Sequence, residues 1–528
     1  MKYIILFFIS LQAFSFSCLS TGADKTPEQC FTEHLKNSDS FKNIIDKQSF
    51  AYINNQGAVA GLNTNLMVNN ASESKLFTSL LALNYFGADH KFETKIYIQG
   101  TKVHIEGSKD PTFGRKAIYR VMNKLNELGI KKISSLTYDK NFYFAPEVLD
   151  NFRYTFVYND TSSNKIYCTP YEHNKFARGF QNILLSRYLN TSLWNSAKTF
   201  KSFSYVPNQE SIGNGELAEK YGYACSKIGI RTIHNDYQLK NPNSSEPKLS
   251  IDKIEELDFN PLVLDNNFVE DRLLLTHTST ELKNIIRFAN VHSANLIIDL
   301  LFNAIGGQEY VTRELQTAMT LLNVEKSKDF SIISGSGLRK KVMRSTKDHA
   351  SSKNNHIVFE SLQNNRSSAK AVLALLDSYL RYSAALNNQV QWQPFQADFT
   401  LPSQTFNLSI QSFNMLLAGM EGTFIRRGNN KFKGTFLVKT GTLNDTSSIV
   451  GTMNTNSGKR HFSIVMNYDP SKPNAPSVTD ARNIQNEFIQ DVITLWSGAV
   501  KIDVDSNLIQ QSTKGGFKSF DSINKGTF

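Results

Sequence analysis

The chain has 528 residues, with 58 Lys and Arg against 47 Asp and Glu, a formal net charge of +11. Hydrophobic residues at 40% and aromatics at 11% are enough for packed cores, which excludes a wholly disordered chain, and the length suits about three or four domains. Mean hydropathy is −0.33 and no apolar stretch of spanning length follows residue 17, which excludes a polytopic membrane protein.

Residues 1–17 read as a secretory signal. Lys2 supplies the positive start, and Tyr3 to Phe14 form an apolar run too short for a span. Ser15 and Ser17 put small residues three and one before a cut at Cys18. Cleavage before a cysteine is also the pattern of lipoprotein maturation. Ser15, however, stands where such sites usually carry Leu, so soluble export is the favoured reading and anchoring at Cys18 the alternative. Export makes nucleic acid an improbable partner for the basic chain, whose Lys and Arg form only short pieces such as Arg339-Lys340-Lys341.

Four cysteines, Cys18, Cys30, Cys168 and Cys225, form no framework of short spacings. A Cys168–Cys225 bridge and buried free thiols are both compatible with the spacing. The ten His residues show no H-E-x-x-H and no cluster at ligand spacing, so no metal is expected.

In chain order, Ala71 to Gly87 reads as a helix apolar on most sides, with Gly87 as its stop. Lys91 to Gly107 alternates like strands. From there to about Asp271 the text is mixed, with a loop at Asn241 to Pro247. Thr278-Ser279-Thr280-Glu281 has capping-box form ahead of Leu282, Ile285, Ile286 and Ala289 at helical spacing. Asn295 to Ile305 is a second apolar helix, closed by Gly306-Gly307. The period then changes to strands at Thr435 to Lys439, Ser448 to Asn454 and His461 to Asn467, the last two joined by a turn at Asn456-Ser457-Gly458. An amphipathic helix over Thr479 to Trp496 follows, then a Ser-, Lys- and Gly-rich tail. Helices, an antiparallel meander and a closing helix make an α+β fold.

Three short motifs carry chemistry. Ser72-Glu73-Ser74-Lys75 is S-x-x-K, Ser293-Ala294-Asn295 is S-x-N, and Lys439-Thr440-Gly441 is K-T-G. S-x-x-K recurs at five other serines, but only Ser72 opens a strongly apolar helix. Residues i and i+3 share a helix face, so Ser72 Oγ and Lys75 Nζ can meet. A serine hydroxyl needs a base, and a half-desolvated lysine beside a second cation gives up its proton more readily; Lys439 is the natural second cation. Ser293 can relay a proton to a leaving amine while Asn295 holds a substrate amide; simple N-capping of the second helix is the competing reading. Lys439, Thr440 and Thr442 can bind a terminal carboxylate, Gly441 allows close backbone approach, and the N–H groups of Ser72 and Thr442 can form an oxyanion hole.

Around these motifs the chain resembles the low-molecular-mass class C penicillin-binding proteins, the D-alanyl-D-alanine carboxypeptidase/endopeptidase family. Ser72 to Thr78 followed by Tyr85-Phe86-Gly87-Ala88-Asp89, Gly107-Ser108-Lys109-Asp110-Pro111-Thr112, Ser334-Gly335-Ser336-Gly337-Leu338, and Gly422-Thr423 ahead of Lys433-Gly434 are similar to segments of that family. Asn70, Ala294 and Ser334 depart from its usual Pro, Asp and Asp. None of these changes removes a catalytic atom.

The resemblance implies a penicillin-binding/β-lactamase-like transpeptidase domain, an antiparallel sheet flanked by helices, built from residues 24–97 and 271–500. A large, mainly β region at 98–270 is inserted in it, in two subdomains, with a loosely ordered tail at 501–528. It further implies a serine-type D-Ala-D-Ala carboxypeptidase or D,D-endopeptidase with Ser72, Lys75 and Ser293 catalytic and Asn295, Lys439, Thr440, Gly441 and Thr442 binding substrate. Peptidoglycan stem peptides are the expected partners and β-lactams the expected inhibitors, with no cofactor, in the periplasm or elsewhere in the bacterial envelope. The 221-residue gap between Ser72 and Ser293 argues against a β-lactamase. A β-lactam hydrolase or esterase, and an inactive wall-binding protein, are the rival readings.

Overall fold

Alternate residues of one antiparallel sheet feed two separate cores. Leu437 and Val450 join a cluster with Leu76, Phe77, Leu80, Ile285 and Ile298, while Phe436, Val438, Ile449 and Met453 join one with Phe31, Phe50 and Phe488. That two-residue alternation is what a strand buried on both faces must show, and it makes the domain helix, sheet, helix in section. The computed structural model describes residues 16–21, 24–54, 57–145, 156–160, 165–169, 185, 205–208, 236–239, 250–262, 272–321, 332–346, 356–377, 416–417 and 435–500.

The sheet runs in the order Leu416–Leu417, Phe436–Leu443, Thr446–Thr455, Gly458–Asn467, Gln48–Ile53, Val59–Leu62, with Ala499–Val500 pairing beside Thr446–Thr455. The predicted hairpin closes on Asn456-Ser457, where Thr455 faces Gly458 and Gly458 takes φ 105°. One difference from expectation concerns K-T-G. It lies inside the Phe436–Leu443 strand, which continues four residues past Lys439, because Lys439 to Leu443 stay in register with Val450 to Thr446.

Helices Pro27–Lys36 and Val478–Leu495 cover one face. Phe488 stacks with Phe31 and Phe50, both at 4.8 Å between centroids, which joins the two ends of the chain through the sheet. Both helices begin with capping boxes, Thr26 with Gln29 and Ser477 with Asp480. A Cys18–Cys30 disulfide, with Cα atoms 5.3 Å apart, pins residues 18–21 to the first helix. It uses the Cys18 sulfur that lipid anchoring would need. The Cys168–Cys225 pairing, the Asn241 to Pro247 loop, the 501–528 tail and residues 1–15 of the signal expected at 1–17 lie outside the described residues and side chains.

The other face carries Ser74–Phe86, Leu282–His292 and Asn295–Ala304. The Thr278–Glu281 capping box does not form. Thr278 ends a strand, Ser279 Oγ accepts from Phe92 N at 2.9 Å, and Glu281 caps the helix with its backbone only. Tertiary pairing takes the hydroxyl away from the cap.

A five-stranded sheet follows the nucleophile helix, in the order Ile254–Glu256, Ser135–Tyr138, Lys102–Glu106, Glu93–Gln99, Leu273–Thr278, with helix Arg115–Glu127 beside it. In chain order its strands start at Glu93 and end at Thr278, a few residues outside the 98–270 expected for the insertion. Strand Lys165–Thr169 pairs with Phe156–Asp160 on one side and with Lys340–Thr346, which follows the Ser334–Leu338 loop, on the other. Among the described residues no helix is long and apolar enough to cross a membrane.

Candidate active site

Ser72 lies in a 3-10 turn, Ala71–Glu73, that runs straight into the helix Ser74–Phe86. The expected helix therefore starts three residues late, and the turn is tight: Ala71 takes φ 48°, a left-handed conformation that costs an alanine about 1–2 kcal/mol. Neighbouring backbones hold it there. A Cβ on Gly441 would come within 2.8 Å of Asn70 O and 3.0 Å of Ser72 N, and a Cβ on Gly337, at φ 79°, would collide with Ala71 O. Both glycines let other segments touch the nucleophile's main chain, as a site that uses Ser72 N–H requires.

Lys75 is fully buried and its Nζ has three acceptors: Ser72 Oγ at 2.8 Å, Asn295 Oδ1 at 2.7 Å and Ser336 O at 2.9 Å. A neutral amine has two N–H groups and one lone pair. Asn295 and Ser336 can accept only, so they take the two N–H groups and the lone pair faces Ser72 Oγ–H. An ammonium would donate to all three, so it is the neutral form of Lys75 that this geometry makes an acceptor of the serine proton.

The S-x-N segment sits at the break between two helices, as its sequence suggests. Ser293 ends the first helix at φ 55° and ψ 41°, and its Oγ accepts from Lys439 Nζ at 3.3 Å. Asn295 does not cap: the N-cap is Ala294, with no side-chain bond, and the Asn295 carboxamide oxygen faces Lys75, leaving its NH2 for another acceptor. Lys439 is fully buried and also donates to Thr440 O at 2.8 Å. Direct hydrogen bonds therefore join Ser72, Lys75 and Asn295 in one set and Ser293 with Lys439 in another, with Gly441 packed on Ser72 N. Thr440 and Thr442 follow on the same strand.

Three contributors were not legible as site residues. Ser336 supplies the carbonyl that holds Lys75. Its own N–H donates to Asp299 Oδ1 at 2.8 Å, and the loop passes between two helices because a Gly335 side chain would strike Ile298 O and Phe302 Cβ. Asp299 is buried, and burial pushes its carboxyl up to about 7 against the opposing pull of Ser336 and the Lys75 charge. Its signal in the sequence is one acid inside the apolar run Asn295 to Ala304, one helical turn after Asn295. Arg482, on the last helix, donates to Thr442 Oγ1 at 3.1 Å, and no local pattern marks it. Asn70, which replaces the usual Pro, accepts from Ser367 Oγ at 2.8 Å and from Ser448 Oγ at 3.1 Å.

A family model, that of the D-Ala-D-Ala carboxypeptidase 3 (S13) family, matches residues 50–162 and 400–485, which include S-x-x-K and K-T-G. Among solved structures, the fold is shared with Bd3459, a predatory peptidoglycan endopeptidase from Bdellovibrio bacteriovorus, at 20% identity and TM-score 0.52. That match covers 86% of this chain and 94% of the other. The predatory endopeptidase Bd0816 from the same organism, solved in complex with the immunity protein Bd3460, gives 18% identity and TM-score 0.51, covering 86% of this chain and 95% of the other. No curated protein sequence matches the chain. The S13 match and the shared fold agree with the penicillin-binding architecture expected from the three motifs.

Proposed function

We propose that this chain is a serine D,D-peptidase of the S13 type, exported and acting on peptidoglycan stem peptides as a D-Ala-D-Ala carboxypeptidase and on their D,D-cross-links as an endopeptidase. The observation that carries the reading is the buried Lys75, with two of its hydrogen-bonding positions filled by acceptor-only groups and the third on Ser72 Oγ. Lys75 takes the Ser72 proton as Oγ attacks the D-Ala carbonyl. The N–H groups of Ser72 and Thr442 receive the oxyanion. The C–N bond then breaks, and the leaving amine takes its proton through Ser293, which Lys439 orients. Water cleaves the acyl-enzyme ester by the reverse path. The substrate lies along the strand Phe436–Leu443, its terminal carboxylate at Thr440, Thr442 and Arg482. The Cys18–Cys30 bridge supports an oxidising compartment outside the cytosol.

The test is intact-protein mass spectrometry with benzylpenicillin, beside Ser72→Ala. One penicilloyl group per chain, absent from the variant, is expected, together with release of D-Ala from a D-Ala-D-Ala pentapeptide. A folded protein that neither forms the adduct nor turns the drug over is not a D,D-peptidase. Rapid drug turnover without a lasting adduct identifies a β-lactam hydrolase instead.

A further inference from the structure

On the face of the sheet opposite the Ser72 helix, four potential metal ligands meet. Cys18, Cys30, His34 and Asp491 are all buried, and one ligand atom from each lies within 4.8 Å of the other three. Cys30 and His34 stand four apart on the helix Pro27–Lys36, so both project from one side. Cys18 reaches them from the preceding turn and Asp491 from the last helix. His34 Nε2 is 2.9 Å from Asp491 Oδ2, and Cys30 Sγ is 3.9 Å from the same oxygen.

We propose that in the reduced chain these four side chains form a tetrahedral zinc site, so that the N-terminal helix can be locked to the last helix either by the disulfide or by the metal. Zinc bonds of about 2.3 Å to sulfur and about 2.0–2.2 Å to nitrogen and oxygen place neighbouring ligand atoms roughly 3.3–3.8 Å apart. The carboxylate-to-sulfur and carboxylate-to-imidazole spacings already lie close to those edges, and the main change required is separation of the two sulfurs. The surroundings also suit an ion. His34 Nδ1 faces Glu487 Oε2 at 4.0 Å, the carboxylate behind the imidazole that fixes a metal-bound histidine. Lys25 Nζ donates to Cys18 O at 3.0 Å and so holds the turn that carries Cys18.

The chemistry balances with a thiol or phosphine reductant. Two electrons and two protons convert the S–S bond to two thiols as the reductant is oxidised. Zinc then displaces both thiol protons to solvent and forms two Zn–S bonds, with His34 Nε2 and one Asp491 oxygen completing the four.

The experiment uses the whole protein carrying Cys168→Ser and Cys225→Ser, so that only Cys18 and Cys30 remain. Native mass spectrometry with zinc ion is run before and after phosphine reduction, and cobalt(II) replaces zinc to reveal thiolate bonding by its charge-transfer absorption. The expected result is one zinc per reduced chain, none on the oxidised chain, loss of the ion in His34→Gln, and a loss of affinity of about tenfold in Glu487→Gln, which leaves all four ligands in place. Equal zinc binding by oxidised and reduced chains, or by His34→Gln, overturns the proposal. So does a reduced chain that binds no zinc, or that unfolds with zinc present throughout.

Discussion

Arg482 Nη2 donates to Thr442 Oγ1 at 3.1 Å, which fixes a cation of the last helix beside the residue that follows K-T-G. The guanidinium is half-buried and stays charged, so a carboxylate arriving at Thr442 gains a charge-assisted hydrogen bond of about 1.5–3 kcal/mol. Arg482→Ala is expected to raise KM for a peptide ending in free D-Ala by about tenfold to a hundredfold, with a smaller change in kcat. The matched peptide with its terminal carboxylate amidated should show little difference between the two proteins. Steady-state kinetics on the pair of peptides checks this, and equal KM changes on both remove Arg482 from carboxylate binding.

Asp299 gives the site a pH dependence. Its carboxyl is raised from 3.8 to about 7 by burial. Between those values the folded chain holds a proton that the unfolded chain has lost, so stability from this group falls as pH rises through the window and levels off above it. Asp299→Asn keeps an acceptor for Ser336 N–H and has no such loss. The stability of the variant relative to the parent should therefore climb from pH 4 to pH 7 in urea melts. Ionised Asp299 also favours the ammonium form of Lys75, so the acid limb of penicillin acylation should move to lower pH in the variant. An unmoved limb would place Asp299 in support of the loop alone.

Gly441→Ala should abolish acylation while leaving a folded protein. The new methyl group would press on Ser72 N, Asn70 O and the Ser448 hydroxyl, displacing the serine that must attack. A loss of at least about a hundredfold in the acylation rate is expected, since misplacement of reacting groups by about 1 Å costs that much. Stopped-flow measurement with a chromogenic cephalosporin reads it directly. A variant that acylates at the parent's rate would mean the strand is free to slide away from Ser72.

The disulfide closes a separation of 12 residues. Loop entropy alone assigns such a bridge about 3 kcal/mol, against which Cys18→Ser with Cys30→Ser can be compared in urea denaturation. A change below about 1 kcal/mol would mean that the aromatic stack of Phe31, Phe50 and Phe488 already restrains the N-terminal segment.

Periodicity and motif chemistry revealed more of the site than of the insertion. Ser72, Lys75, Ser293, Asn295 and Lys439 were legible because each motif couples a reactive side chain to a helix or strand signal. Leu437 with Val438, and Ile449 with Val450, betray a strand buried on both sides. Contacts between segments far apart in the chain left no such trace. Arg482 is one polar residue on an amphipathic helix, and its approach to Thr442 follows from the packing of that helix on the sheet. The Thr278–Glu281 pattern misled because Ser279 serves Phe92 across 187 residues. Cys30 and His34 are a ligand pair at helical spacing, but their meaning depends on Asp491, which folding alone brings to them.

The pairing of Gln48 with Met466 sets an order of events. A ribosome delivers the strand Gln48–Ile53 and the nucleophile helix early, yet the neighbouring strand Gly458–Asn467 arrives more than 400 residues later. Lys439 and Arg482 are likewise made more than 350 residues after Ser72. Throughout synthesis, then, Ser72 exists without the strand that presents substrate to it, and the nascent chain carries a reactive serine that has nothing to act with. The discontinuous sheet works as a timer: the proposed hydrolytic capacity waits for the strand Phe436–Leu443, and a product truncated before it keeps the nucleophile alone.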